Sequence, residues 1–128
     1  MFAFALKLLN SLNSGISPWQ LAWGMSFGMM FGLTPFFDPV FGPHNFIILL
    51  IVMSFQTNFG MFLLFSALFA SLSYMLDPYF HDFGLYLLTL DNLNSVWTLL
   101  YNNDLARVFN FNNSIVLGSF VVSVLAFF

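Results

Sequence analysis

A chain of 128 residues with a formal charge of −3 is 60% hydrophobic and only 5% charged, with 20 Phe and no Cys. Soluble domains run near roughly 45–50% apolar and about 25% charged, so this chain lacks the polar residues to cover a water-facing surface and reads as a single integral membrane domain. Lys7 and Arg107 are its only fixed cations, which excludes nucleic acid as a partner, and the missing thiols exclude disulfides, thiolate metal sites and cysteine nucleophiles.

In 2–14, Phe2, Ala5, Leu9 and Leu12 share one helical face while Lys7, Asn10, Ser11 and Ser14 share the other, which suits an interfacial helix. A cleaved signal peptide is the competing reading; the Lys in mid-segment and the lack of a small-x-small site before Gly15 oppose it. Ser17 and Pro18 then pair an N-cap with a first-turn proline, and Trp19 and Trp23 belong at headgroup depth. Behind them Gly24, Gly28 and Gly32 recur every four residues, which stacks them on one helical face. Each interior glycine costs about 1 kcal/mol relative to Ala, and in a bilayer the return is close backbone approach. A second helix or a lipid is expected along that groove.

The glycine helix is expected to stop at Leu33, because the residue before Pro35 is pushed out of the α region. Its span of about 24 Å is short of the roughly 30 Å hydrocarbon core. The apolar run Phe46 to Phe55 is shorter still, and between the two lie Pro35, Pro39 and Pro43 with Asp38 and His44. Residues 18–55 therefore read as a short hairpin, either re-entrant or made of two tilted spans. Irregular backbone at membrane depth must be buried in protein or line a wet cavity, which makes Asp38, His44 and Asn45 the candidate polar site. The alternative is a headgroup-level turn in which His44 or Asn45 caps the next helix.

Thr57-Asn58 predicts a cap for a membrane helix over 58–76, ended by Asp77-Pro78. Asp77, His81 and Asp82 would gather metal-capable side chains on a helix, but no further ligand joins them, so the reading is a surface loop and no metal site. Leu93, Val96, Trp97 and Leu100 follow i, i+3, i+4, i+7 spacing with Asn94, Ser95 and Thr98 between them, a second interfacial helix within 77–112. Asn112-Asn113-Ser114 caps a last membrane helix over 113–128, where Gly118 beside Ser119 offers a further helix-packing contact. Lys7 places the N-terminus inside; the hairpin returns there, the 58–76 helix crosses outward and the last helix returns. Arg107, on the outer side, opposes that topology.

Several blocks in order resemble a family of short bacterial inner-membrane proteins related to domain-of-unknown-function family two-zero-six-two. They are Leu6-Lys-Leu-Leu-Asn-Ser-Leu-Asn-Ser14, Ser17-Pro-Trp-Gln20, the glycine run through Leu33-Thr-Pro35, His44-Asn45, Leu76-Asp-Pro78, Trp97-Thr-Leu-Leu-Tyr-Asn102 and Phe111-Asn-Asn-Ser-Ile-Val-Leu-Gly118. The likeness covers nearly the whole chain. By that pattern Asp38 to Pro43 resembles a local insertion, which weakens Asp38 as a site. The resemblance also implies a larger membrane-anchored protein as a partner, but no activity.

The expected fold class is thus an all-α integral membrane protein, with a glycine-rich short helical hairpin, two further membrane helices and amphipathic interfacial helices. The expected function is a non-enzymatic subunit whose glycine face packs on the membrane helix of a larger envelope protein, extending to lipid handling. A small transporter, channel or lipid-handling module with a polar path at the Pro35–Asn45 turn is the alternative. No Ser-His-Asp spacing, phosphate-cradling loop or ligand cluster is found, so neither catalysis nor a cofactor is expected. The bilayer, the larger protein and a second copy of the chain are the expected partners, in the multi-pass setting of the bacterial inner membrane.

Overall fold

The computed structural model describes residues 15, 17–35 and 42–127, so the 2–14 helix and Asp38 lie outside the described residues. The elements are α1 (Pro18–Leu33), α2 (Pro43–Ser54), α3 (Phe59–Thr89), a 3-10 turn at Asp91–Leu93, α4 (Asn94–Tyr101), α5 (Asp104–Arg107) and α6 (Ser114–Phe127). No strand occurs among the described residues.

At the start of α1, the Ser17 hydroxyl accepts from the Gln20 N–H at 3.3 Å and the Gln20 side chain accepts from the Ser17 N–H at 3.3 Å. This reciprocal box, with Pro18 in the first turn, satisfies amide donors that a helix start would otherwise leave open. At the other end Ser73 donates to the Leu33 carbonyl at 3.0 Å from across the bundle.

The glycine stripe of α1 lies against α3, not against α2. A Cβ added at Gly24, Gly28 or Gly32 would fall 2.5 Å from the carbonyl oxygens of Asn58, Phe62 and Ser66 respectively. Both series climb in steps of four, so α1 and α3 run parallel with their backbones in contact. The groove is filled from within the same chain and is not open to the helix of a larger protein. Where α2 faces α1 there is no glycine, and the wider gap holds Phe27, Phe31, Ile48 and Val52, with Phe62 of α3 closing the cluster. The hairpin is therefore held by side chains, while α1 and α3 meet backbone to backbone.

α3 starts at Asn58, whose side chain accepts from the Met61 N–H at 2.9 Å. It does not end at Leu76. It continues through Asp77 and Pro78 to Thr89, 31 residues in all, and His81 stands on a helix rather than in a surface loop. A proline inside a helix costs about 3 kcal/mol or more. Here packing offsets that cost on both sides: α1 lies along the first half of α3, and α6 seats on Phe80 and Gly84 just beyond Pro78. A Cβ at Gly84 would strike the Ser114 carbonyl oxygen and one at Gly118 would strike that of Phe80. Rising numbers on α3 thus meet falling numbers on α6, and the two run antiparallel.

Among the described residues α3 is the one helix long and apolar enough to cross a membrane, and only 11% of its apolar window is buried. At about 1.5 Å per residue it reaches about 46 Å, whereas α6 reaches about 21 Å, short of a roughly 30 Å core. The expected pair of further membrane helices is therefore one long helix and one short apolar one.

The bundle combines an apolar core, from Phe27, Phe31, Ile48, Val52 and Phe62 to Phe80, Val116 and Leu117, with small residues at its helix crossings. Its interior holds Gly24, Gly28, Gly32, Ser66, Ser73, Gly84, Gly118, Ser119 and Ser123, while Leu64, Leu68, Met75, Tyr79 and Leu125 face outward. The buried hydroxyls of Ser66, Ser119 and Ser123 donate to carbonyls of their own helices at 2.7, 3.1 and 2.7 Å. Small residues with satisfied polar groups let the helices approach closely.

Candidate functional site, an apolar pocket beside the His44 turn

The turn between α1 and α2 is tied by Thr34 and Asn45. Thr34 is 1% exposed and Asn45 fully buried. The Thr34 hydroxyl is shared between the Phe31 carbonyl at 2.9 Å and Asn45 Oδ1 at 2.5 Å, and Asn45 Nδ2 donates to the Pro35 carbonyl at 3.3 Å. Asn45 therefore does not cap α2, whose N-cap is Gly42; it fastens the start of α2 to the end of α1. Replacing Asn45 with Leu should lower stability by about 1–3 kcal/mol, because the bond that ties Thr34 to α2 is lost and the Pro35 carbonyl loses its side-chain donor. Thermal unfolding in nanodiscs checks this, and an unchanged midpoint would show that the clamp contributes nothing.

His44 sits in the first turn of α2 and folds over Gly42, where any Cβ would collide with the imidazole ring. Its Nε2 is buried and has no hydrogen-bond partner among the described residues, and its ring meets Phe120 edge-on at 6.0 Å. Leaving such a group unsatisfied costs about 1–3 kcal/mol, so a buried nitrogen of this kind marks either strain or an absent partner.

That imidazole lines a pocket of about 350 Å³. Val116, Leu117 and Phe120 of α6 form one wall, and Trp97 and Leu100 of α4 the facing one. Ala106, Phe109 and Phe111 from the stretch that follows complete the lining, which is apolar apart from His44. The facing wall is an anchored strap. Trp97 Nε1 donates to the Leu87 carbonyl near the end of α3 at 3.0 Å, and its ring stacks on Phe111 at 6.1 Å. Beyond it Asn113 Oδ1 accepts from the N–H groups of Ile115 and Val116 at 3.0 and 3.3 Å, which starts α6.

Of the face expected from helical spacing, Leu93, Trp97 and Leu100 are half-buried, Val96 is exposed, and Asn94, Ser95 and Thr98 face outward. The stripe that packs runs through i, i+4 and i+7, which leaves the i+3 position at its edge. Asp104 and Arg107 pair at the surface, and the guanidinium lies over the Tyr101 ring at 5.8 Å.

His81 is engaged elsewhere. Its Nδ1 lies 2.5 Å from Ser114 Oγ, which ties α3 to the start of α6. Among the described residues no group of three or more His, Cys, Asp or Glu could hold a metal ion. The structure thus brings His44 and Asn45 together at one turn but in separate roles, Asn45 as a clamp and His44 as a pocket wall. Sequence reasoning missed Gly84, hidden behind an expected stop at Pro78, and missed Phe109 and Phe111, which follow no helical period. The one available signal was the alternation of Phe109, Asn110 and Phe111. Compared with known proteins, the chain matches no family model, no curated protein and no solved structure.

Proposed function

We propose that this chain is a non-enzymatic, multi-pass module of the bacterial inner membrane, serving as the small subunit of a larger membrane-anchored protein in lipid handling. The observation that carries the reading is the pocket, whose lining among the described residues is apolar apart from His44. A water-soluble substrate would find a single polar contact there, whereas a lipid chain is solvated by every wall. Since both glycine contacts are filled within the chain, a partner helix has to use an outer face. α3 offers one in the exposed stripe Leu64, Leu68, Leu72, Met75 and Tyr79.

The transporter reading needs an open polar path at the Pro35–Asn45 turn, and the Asn45 amide is already committed to Thr34 and Pro35. Extraction of native membranes into nanodiscs is expected to bring down one larger membrane-anchored protein in stoichiometric amount. Solute flux through vesicles holding this chain alone, with no partner recovered from the membrane, would overturn the proposal in favour of a transporter.

A further inference from the structure

We infer that the outward face of α3 is a seam for one helix of a different protein, and that this helix carries a Lys or Arg where it passes Asp82. The inference rests on the subunit reading and names the chemistry of the partner. α3 has two faces that repeat. The inner one brings Phe62 and Ser66 against α1 and Phe80 and Gly84 against α6, while the outer one runs through Leu68, Leu72, Met75, Tyr79, Asp82 and Tyr86, all exposed. Those outer positions are spaced by four, three, four, three and four residues, the 3.5-residue repeat of helices that wind about each other. Lipid tails place no such demand on spacing.

Depth excludes acyl chains as the cover for the whole seam. The start of α3 is level with the start of α1, because the Asn58 N–H donates to the Gln20 carbonyl at 3.0 Å, and Trp19 and Trp23 beside Gln20 mark headgroup depth. From Asn58 to Asp82 the helix rises about 36 Å, past the roughly 30 Å hydrocarbon core. Asp82 and Tyr86 thus stand beyond the lipid tails, on the same seam as Leu68 and Leu72 within them. Charge then chooses the partner. Among the described residues Asp82 forms no ion pair, since Arg107 is held by Asp104 and the neighbouring His81 by Ser114. Two copies of the chain inserted the same way round would set Asp82 against Asp82, and facing like charges oppose that pairing. A helix with Lys or Arg at the same level turns this residue into an attraction. Leu68, Leu72 and Met75 supply packing inside the bilayer, and Asp82 fixes register and identity.

The test uses the full chain in zwitterionic nanodiscs, with a fluorescent acceptor on Ser95→Cys, an exposed position of α4 in a chain that has no other thiol. The probes are three donor-labelled membrane-spanning peptides with a Leu heptad seam, which differ only at the seam position in each headgroup layer: Lys, Leu or Glu. Energy transfer from the Lys peptide is expected at about fivefold lower concentration than from the Leu peptide, the ratio that an ion pair at the upper end of the range for exposed charges provides, with the Glu peptide weakest. Asp82→Asn should erase that order and Asp82→Lys should reverse it. If Asp82→Lys fails to fold, Asp82→Asn decides. Equal transfer from all three peptides would overturn the inference, as would a Lys preference that survives in Asp82→Asn. A second copy as occupant is scored with Tyr86→Cys, which should stay monomeric under oxidation in native membranes; disulfide-linked pairs in high yield would overturn the inference. Recovery of the larger protein is scored separately, so its absence overturns the subunit reading and leaves the peptide result standing.

Discussion

Replacing Gly28 with Leu is expected to separate α1 from α3 and to cost about 3 kcal/mol or more, at or above the upper end of ordinary overpacking. Removing a helix-interior glycine should by itself gain about 1 kcal/mol, so the sign depends on what the new side chain meets. A Cβ at this position already lies 2.5 Å from the Phe62 carbonyl oxygen and 3.1 Å from Phe62 Cα. Both are backbone atoms inside a helix and cannot rotate aside. The two helices must move apart, and that opens the contacts at Gly24 and Gly32 as well. Ala22→Leu, on the exposed side of the same helix, is the matched control and should leave the unfolding midpoint in place. Equal midpoints for Gly28→Leu and the control would show that α1 does not pack on α3 through this face.

The second large effect is expected at the other crossing. Gly118→Leu would drive a side chain into the Phe80 carbonyl, one turn from Gly84 and just past Pro78. Detachment of α6 should again cost about 3 kcal/mol. It should also remove the wall of Val116, Leu117 and Phe120 from the pocket. α3 then loses the contact that offsets its internal proline and should bend at Pro78. Spin labels at exposed Tyr86 and Leu125 report the change: the distance distribution should broaden in Gly118→Leu. A distribution as narrow as that of the otherwise unchanged chain would rule out this packing.

The parts of the fold that were legible in the sequence depend on neighbours within a turn or two. Ser17 with Pro18, Asn58 and Asn113 announce helix starts because capping is a contact over two or three residues. Gly24, Gly28 and Gly32 announce a contact face because helical geometry aligns them whatever lies opposite. Composition points to a bilayer because so few polar side chains cannot solvate a surface.

What fills the glycine face was decided by tertiary structure. Two surfaces of matching shape do not announce their pairing, and the four-residue steps of Asn58, Phe62 and Ser66 are made by backbone carbonyls that any sequence supplies. The passage of α3 through Pro78 was decided there as well. The local cost of a proline is visible in the chain, whereas the packing of α6 that offsets it is a long-range contact. The pocket belongs to the same class: His44 becomes a site only when α6 and the Trp97 strap close around it, and residues so far apart in sequence meet by packing, which no periodicity encodes.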